Sequence, residues 1–218
     1  PAMGDIGTLF AQGRAAVLAN VGTLVYPTTL DQYRARSVPL PPQLFSHSDQ
    51  TVQWQHSVPD RPSGTGWGGR IADLVNAFNA NNQISMSISL AGTNVFQVGS
   101  RVAQYAVSTN GAVTFDGKTG GNNPLSFAAQ RDTFRQSHAS LFDSAFAGIA
   151  DGALASGDFL NTVLAAAPAL TTVFPATNLG NQLRMVARLI SVAANLNLKR
   201  QVFFVQLGRS EEHTSELQ

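Results

Sequence analysis

The run Gln201-Val202-Phe203-Phe204-Val205-Gln206-Leu207, near the end of the chain, is an almost continuous apolar segment. Strands of this kind are buried on both faces, which is typical of a parallel sheet packed between helices. An amphipathic helix is predicted just before it, with Asn178 as its N-cap and Lys199 and Arg200 complementing the dipole at its end. The predicted core stripe of this helix comprises Leu179, Leu183, Val186, Ala187, Ile190, Ala193 and Ala194. The end of the chain therefore indicates an α/β fold.

Three further strand segments are predicted in the middle of the chain. Residues 84–90 alternate between apolar residues and serines, which predicts a strand with one buried and one polar face. Two short strands, over 102–108 and 112–115, flank Thr109-Asn110-Gly111, and Asn-Gly favours a tight hairpin turn. We expect these three strands to form a small antiparallel flap beside the main sheet.

Helices and loops fill the rest of the chain. Ile71, Leu74, Val75 and Phe78 predict a helix of about three turns. At the start of the chain, Met3, Ile6 and Phe10 fall at helical spacing and predict a helix that stops at Gly13 and leads into a buried strand over 15–21. Residues 27–69 read as a long loop with short helical pieces. A second helical region starts near Ser126, is interrupted by Gly148, Gly152 and Gly157, and is followed by a helix over 158–166. Its predicted core residues are Phe127, Phe134, Leu141, Phe142, Ala145 and Ile149. The predicted fold is an incomplete, doubly wound, mainly parallel sheet.

Composition excludes several classes of protein. The chain has 218 residues with 14 Lys and Arg, 13 Asp and Glu, and no cysteine, so disulfides, thiolate nucleophiles and zinc–thiolate sites are excluded. A net charge of +1 without a basic cluster gives no electrostatic footprint for nucleic acid or an anionic membrane surface. No stretch approaches the roughly 18 to 20 apolar residues that a membrane span requires.

The densest group of chemically active side chains is Ser46-His47-Ser48-Asp49-Gln50. A serine acts as a nucleophile when a base or a metal ion activates it, and His47 and Asp49 are the candidates nearest in sequence. The alternative is that Ser46 and Asp49 simply begin a helix, because Ser-x-x-Asp also matches a capping arrangement. Both interpretations stay open at this point.

Other candidate motifs favour structural roles. His56 and His138 are isolated histidines, which more often pack or lie at the surface than bind a ligand. Gly64-x-Gly66-x-Gly68-Gly69 precedes a helix but lacks the preceding strand and the spacing of a phosphate-binding loop. We therefore interpret it as a tight helix entry in which Trp67 packs.

The last ten residues, 209–218, change character abruptly. They resemble, residue for residue, the translation of a widely used short-read sequencing adapter, so we exclude them from the predicted fold. His213 and Glu216 within this tail could be mistaken for a metal motif. We expect residues 1–208 to be a fragment of one domain.

Four blocks, in order, resemble the bacterial domain-of-unknown-function 1501 family over essentially residues 1–208. The blocks are Asn20 to Thr29, Pro39 to Gln50, Gly66 to Asp73, and Asn178 to Val205. The resemblance implies an alkaline-phosphatase-like or sulfatase-like fold and an exported, periplasmic or extracellular protein whose signal peptide lies outside this chain. The family's early Gly-Gly-x-Asp segment would lie before Pro1, and its Gly-Phe-Asp-Thr-His segment would follow Gly208.

The resemblance also implies a chemistry. In the full-length protein, Ser46 would attack or bind a small-molecule or polymeric phosphate or sulfate ester, and His47 and Asp49 would orient the ester or a divalent metal ion. This chain is expected to hold no metal and to be inactive, because most ligands would lie outside it. The alternative is a non-catalytic secreted or cell-surface binding protein on the same scaffold.

Overall fold

The computed structural model describes residues 4–18, 21–80, 83–113, 124–136 and 139–208. These fall into two compact units, Pro1–Pro62 and Ser63–Gln218. The first unit contains the helices α1 (Gly4–Ala11), α2 (Leu30–Ala35) and α3 (His47–His56). The second contains α4 (Trp67–Val75) with a 3-10 turn over Asn76–Phe78, then β1 (Ser87–Ser89), β2 (Gln104–Ser108), β3 (Gly111–Ala112), α5 (Pro124–Arg135), α6 (Leu141–Ala165), α7 (Asn178–Ser191) and β4 (Val202–Phe204). The single domain expected over residues 1–208 stays a prediction, and the tail over 209–218 lies outside the described residues.

The first unit confirms the predicted helix at the start of the chain and its end at Gly13. Gly13 has a φ of +68°, its N–H donates to the Phe10 carbonyl, and the Arg14 N–H donates to the Leu9 carbonyl. This is the hydrogen-bond pattern of a Schellman C-cap. The buried strand predicted over 15–21 is wrong, because residues 15–18 have no regular structure and Val17 and Leu18 are 80% and 82% exposed. No strand is described in this unit for that segment to pair with.

The second unit is built on a mostly parallel sheet in the order β3-β2-β1-β4. β1 is parallel to both β2 and β4, and only β2 and β3 are antiparallel. The predicted α/β class and the parallel strand near residue 203 are therefore confirmed. The predicted three-stranded antiparallel flap is wrong, because β1 is the central parallel strand and the hairpin consists of β2 and β3 alone. In that hairpin the positive φ, +127°, lies at Gly111, while residues 114 and 115 of the predicted strand lie outside the described residues.

β1 is buried on both faces, which corrects the expectation that its serine face is exposed. Ile88, Ser87 and Ser89 all have an exposed fraction of 0%. The serine face is covered by the connection between β1 and β2, in which the buried Gln97 donates from its amide to the carbonyls of Ile88 (2.9 Å) and Val202 (3.2 Å). The Ser89 hydroxyl donates to the Gly92 carbonyl at 2.6 Å. Buried polar groups need such partners, so the alternating pattern marks a central strand here.

The β1–β2 connection packs closely on the start of α4. A Cβ atom at Gly66 or Gly69 would overlap the backbone at Val95–Phe96 or Val98–Gly99, and one at Gly68 would overlap the Phe96 ring. Trp67 contacts the same ring in a T-shaped arrangement with centroids 4.6 Å apart. The glycine-rich segment is therefore a tight helix entry, as predicted, and each of these glycines is required by a close approach.

The Asp73 carboxylate holds the end of the β1–β2 connection that leads into β2. Its carboxylate accepts hydrogen bonds from the backbone N–H groups of Ser100 (2.6 Å), Arg101 (2.9 Å) and Val102 (2.8 Å). Desolvation alone would raise the pKa of Asp73, but these hydrogen bonds and the charge of Arg101 lower it below its ordinary value. One side chain thus satisfies three consecutive loop donors.

In α4 and α7, the residues predicted to face the core are neighbours of the residues that are buried in the structure. In α4 the buried residues are Gly68, Gly69 and Ala72, whereas Leu74 is 79% exposed. In α7 the buried residues are Gly180, Gln182, Met185 and Leu189, whereas Leu183 and Ile190 are exposed. Gln182 belongs to the buried face because its amide donates to the Gln206 carbonyl and accepts from the Gln206 N–H, both at 3.0 Å.

The predicted termini of α7 need correction as well. Thr177, not Asn178, is the N-cap, and its side chain accepts from the Gly180 N–H at 3.0 Å. Lys199 and Arg200 lie beyond the end of the helix, and the basic residue of its last turn is Arg188. Arg188 donates to the Leu164 carbonyl at 2.9 Å, where it complements the C-terminal end of α6.

α5 and α6 divide at a different place from the one predicted. The helices separate between residues 135 and 141, where Ser140 caps α6 by accepting from the Asp143 N–H. α6 then runs for 25 residues through Gly148, Gly152 and Gly157 without interruption. Phe142 and Ile149, predicted as core, are 86% and 74% exposed.

No helix in the described part of the chain is long and apolar enough to cross a membrane.

Gly69→Ala should destabilise the protein, because the new methyl group would displace the backbone at Val98. Overpacking of this kind costs about 2–3 kcal/mol. Gly152→Ala is the matched control, since that helical glycine has open space around its Cβ position and should gain up to about 1 kcal/mol. Urea unfolding followed by circular dichroism measures both values, and equal stability of the two variants would contradict the close packing.

Asp73→Ala should cost about 2 kcal/mol, because three backbone donors lose a charged acceptor. The pKa of Asp73 is lower in the folded protein, so its contribution is complete above the unfolded pKa of about 3.9. It is lost as the pH falls through the lower folded value. Unfolding measured between pH 7 and pH 2 should show a smaller acid-induced loss in Asp73→Asn than in the control Asp60→Asn, which alters an exposed surface pair with Arg61.

Candidate functional site

Ser46 is the N-cap residue of α3. Its φ and ψ are −75° and 122°, and its hydroxyl accepts from the Asp49 N–H at 3.4 Å. The hydroxyl also donates to the Asp49 carboxylate and lies 3.2 Å from the Ser48 hydroxyl. The capping interpretation of Ser46 and Asp49 is therefore confirmed. The structure thus brings together two of the three predicted site residues at the first turn of one helix.

His47 is the first residue of α3 and is exposed to solvent. Its carbonyl accepts from the Thr51 hydroxyl at 2.8 Å, which is a contact within the helix. Ser46 and Asp49 are half-buried, so His47 is the most exposed of the three predicted site residues.

The backbone before Ser46 is strained. Gln43 and Phe45 have φ values of +51° and +78°, which non-glycine residues rarely adopt and bulky ones least of all. Phe45 is held by Tyr33, whose ring packs against it edge to face with centroids 5.6 Å apart. Such conformations cost about 1–3 kcal/mol each and cluster at functional sites. Sequence patterns could not reveal this feature, because neither residue is glycine or asparagine.

The turn before α3 is anchored to the body of the helix. The buried Gln53 donates from its amide to the Pro42 carbonyl at 2.6 Å. His56, which is 4% exposed, accepts at its Nδ1 atom from the Val58 N–H at 3.0 Å and so fixes the end of the helix. His56 is therefore packed, which is one of the two structural roles expected for it, and His138 lies outside the described residues. Hydrogen bonds near both ends of α3 thus fix the helix that begins after Ser46.

A cavity of about 170 Å³ lies beside α3 in the same unit. It is lined by Val21, Gly22, Thr23, Leu24, Leu44, Gln50, Gln53 and Trp54. Ser46 is not among the described residues that line it. The cavity is therefore not a binding site built around Ser46.

The resemblance implies a divalent metal ion, and the described residues do not fit one. No group of three or more His, Asp or Glu side chains comes together among the residues that the structure describes. His47 and Asp49 are too few to complete a coordination sphere of four or more ligands. The carboxylate of Asp49 is already used by the Ser46 hydroxyl. Residues 213 and 216 lie outside the described residues.

Ser46→Ala should lower the stability of the unit that contains α3 by about 1 kcal/mol, the usual cost of losing an N-cap. Ser46→Asp should keep most of the stability, because aspartate also caps helices well. Ser48→Ala removes a neighbouring exposed hydroxyl and should change stability little. Helix content followed by circular dichroism during urea unfolding tests the series, and an equal loss in Ser46→Ala and Ser48→Ala would contradict the capping role.

No protein-family model, curated protein or solved structure matches this chain. The resemblance to the domain-of-unknown-function 1501 family therefore stays a prediction.

Proposed function

We propose that residues 1–208 belong to an exported bacterial protein of the alkaline-phosphatase or sulfatase type, in which Ser46 attacks or binds a phosphate or sulfate ester. The observation that carries the proposal is the placement of Ser46 at the start of α3, directly after the strained residue Phe45. A reactive serine is often presented on such a turn, where the backbone holds its oxygen at the end of a helix.

The start of α3 suits an ester that carries negative charge. Unpaired N–H groups and the helix dipole make an N-terminus favourable for phosphate and sulfate oxygens. The Ser46 hydroxyl already donates its proton toward Asp49, which is the direction in which the proton must leave when the oxygen attacks. His47, exposed at the next position, would orient the ester.

Metal-dependent hydrolysis would require ligands that the described residues do not bring together. The chain on its own is therefore proposed to be inactive. A larger protein body is supported by the apolar surface of the second unit, because exposed apolar patches mark interaction sites. The exposed apolar side chains of its helices include Ile71, Leu74, Phe142, Phe146, Ile149, Leu183 and Ile190. β4 is also only half-buried and has β1 as its one described neighbour.

A second candidate is a non-catalytic secreted or cell-surface binding protein. Its supporting observation is that Ser46 and Asp49 satisfy each other as a helix cap, which is a sufficient structural reason for both residues. The two candidates differ in their need for metal. Calorimetric titration of the natural protein with Zn²⁺ and Mg²⁺ separates them, since stoichiometric binding favours the hydrolase and absence of binding favours the binding protein.

Ser46→Asp is the decisive variant for the hydrolase. It keeps the helix cap but lacks the nucleophilic hydroxyl, so hydrolysis of 4-nitrophenyl phosphate or 4-nitrophenyl sulfate by the natural protein containing residues 1–208 should fall at least about a hundredfold. Ser48→Ala should retain activity. The assay is run with and without divalent metal, and wild-type rates in Ser46→Asp, or no hydrolysis by the wild type, would overturn the proposal.

A further inference from the structure

An open cleft of about 390 Å³ lies in the second unit. Its walls are α6 on one side and, on the other, the segments that lead into β1 and β2. Small-molecule sites usually have volumes of about 300–1,000 Å³. The size of the cleft is therefore sufficient for a small organic ligand.

A direct hydrogen bond joins the two walls of the cleft. The Ser156 hydroxyl, on α6, is 2.6 Å from the Gln83 carbonyl, on the segment before β1. Ile84 and Val102 form the base and are only 4% and 6% exposed. Because these residues belong to the packed core, the base of the cleft is rigid.

The charge of the lining favours an anion. Arg101 is its one ionised side chain at neutral pH, and no aspartate or glutamate is among the described lining residues. The nearby carboxylate of Asp73 is used by three backbone N–H groups, including that of Arg101 itself. The Arg101 guanidinium forms no hydrogen bond or ion pair with another residue in the described part of the chain, although it attracts Asp73 at longer range. A guanidinium in this situation is ready to bind an oxyanion.

Tyr105 supplies a second donor. Its ring is half-buried in the lining, and its hydroxyl forms no hydrogen bond with any described residue. Burial raises the pKa of Tyr105 above its ordinary value, so the phenol stays protonated at neutral pH. The opposite wall, on α6, presents the hydrocarbon of Ala153 and of Ile149, which is 74% exposed, and its one hydroxyl, that of Ser156, donates to the Gln83 carbonyl. A ligand that fits both walls therefore has a polar, charged end and a hydrocarbon part.

We propose that this cleft binds a small organic monoanion, whose oxyanion is held by Arg101 and Tyr105 and whose hydrocarbon part rests on Ile149 and Ala153. The ligand class is a carboxylate or a sulfate monoester with an aryl or short alkyl group. This site is independent of Ser46, because all its residues lie in the second unit.

The test uses the 218-residue chain and ligand-observed saturation-transfer NMR with benzoate and phenyl sulfate. Arg101→Gln removes the charge from an exposed side chain and should leave folding intact. It should weaken binding by about tenfold or more. Tyr105→Phe should weaken binding by a smaller factor. Arg184→Gln, which neutralises an exposed arginine on α7, is the matched control and should bind as the wild type does.

A comparison of related probes shows whether the charge or the ring of the ligand provides the affinity. Benzamide, which has the ring without the charge, and acetate, which has the charge without the ring, should both bind more weakly than benzoate. Inorganic sulfate tests whether the oxyanion alone suffices. Equal binding of benzoate and benzamide, equal binding by wild type and Arg101→Gln, or no saturable binding up to about 10 mM would overturn the proposal. None of these outcomes bears on ester hydrolysis at Ser46.

Discussion

The second unit depends on the burial of β1 on both faces. A strand with serines on one face can occupy this position only if the hydroxyls and the backbone beside them find partners within the protein. The β1–β2 connection supplies those partners, chiefly through the Gln97 amide and the Gly92 carbonyl. It can lie this close because glycines at the start of α4 leave room for it, and because the carboxylate of Asp73 accepts from the N–H groups of Ser100, Arg101 and Val102.

Periodicity predicted the elements better than it predicted which side of each element is buried. The parallel strand near Phe203, the helix before it and the hairpin at Asn110 are observed, because each follows from local sequence. The buried face of α7 could not be predicted, since Gln182 is buried through hydrogen bonds to residue 206, which is distant in sequence. The serine face of β1 was misassigned for the same reason. Polar residues at these positions are buried because tertiary partners are available, which no local pattern records.

In the candidate site, too, the sequence predicted some features and missed others. The Ser46 to Asp49 spacing predicted a helix cap, and local geometry confirms it. The strain at Phe45 was not predictable, because phenylalanine is not a residue type suited to positive φ. The cleft around Arg101 was also missed. Its lining is assembled from α6 and two strand entries, and Arg101 is an isolated charge in the sequence.

The hydrogen bonds of the buried Gln97 side chain have a consequence for biosynthesis. Its bond to the Val202 carbonyl joins positions separated by 105 residues, so β1 lacks β4 beside it until residue 202 has left the ribosome. Pairings between distant segments form slowly and leave apolar surface uncovered in the meantime. Until then, the nascent chain would present β1 with that edge unpaired.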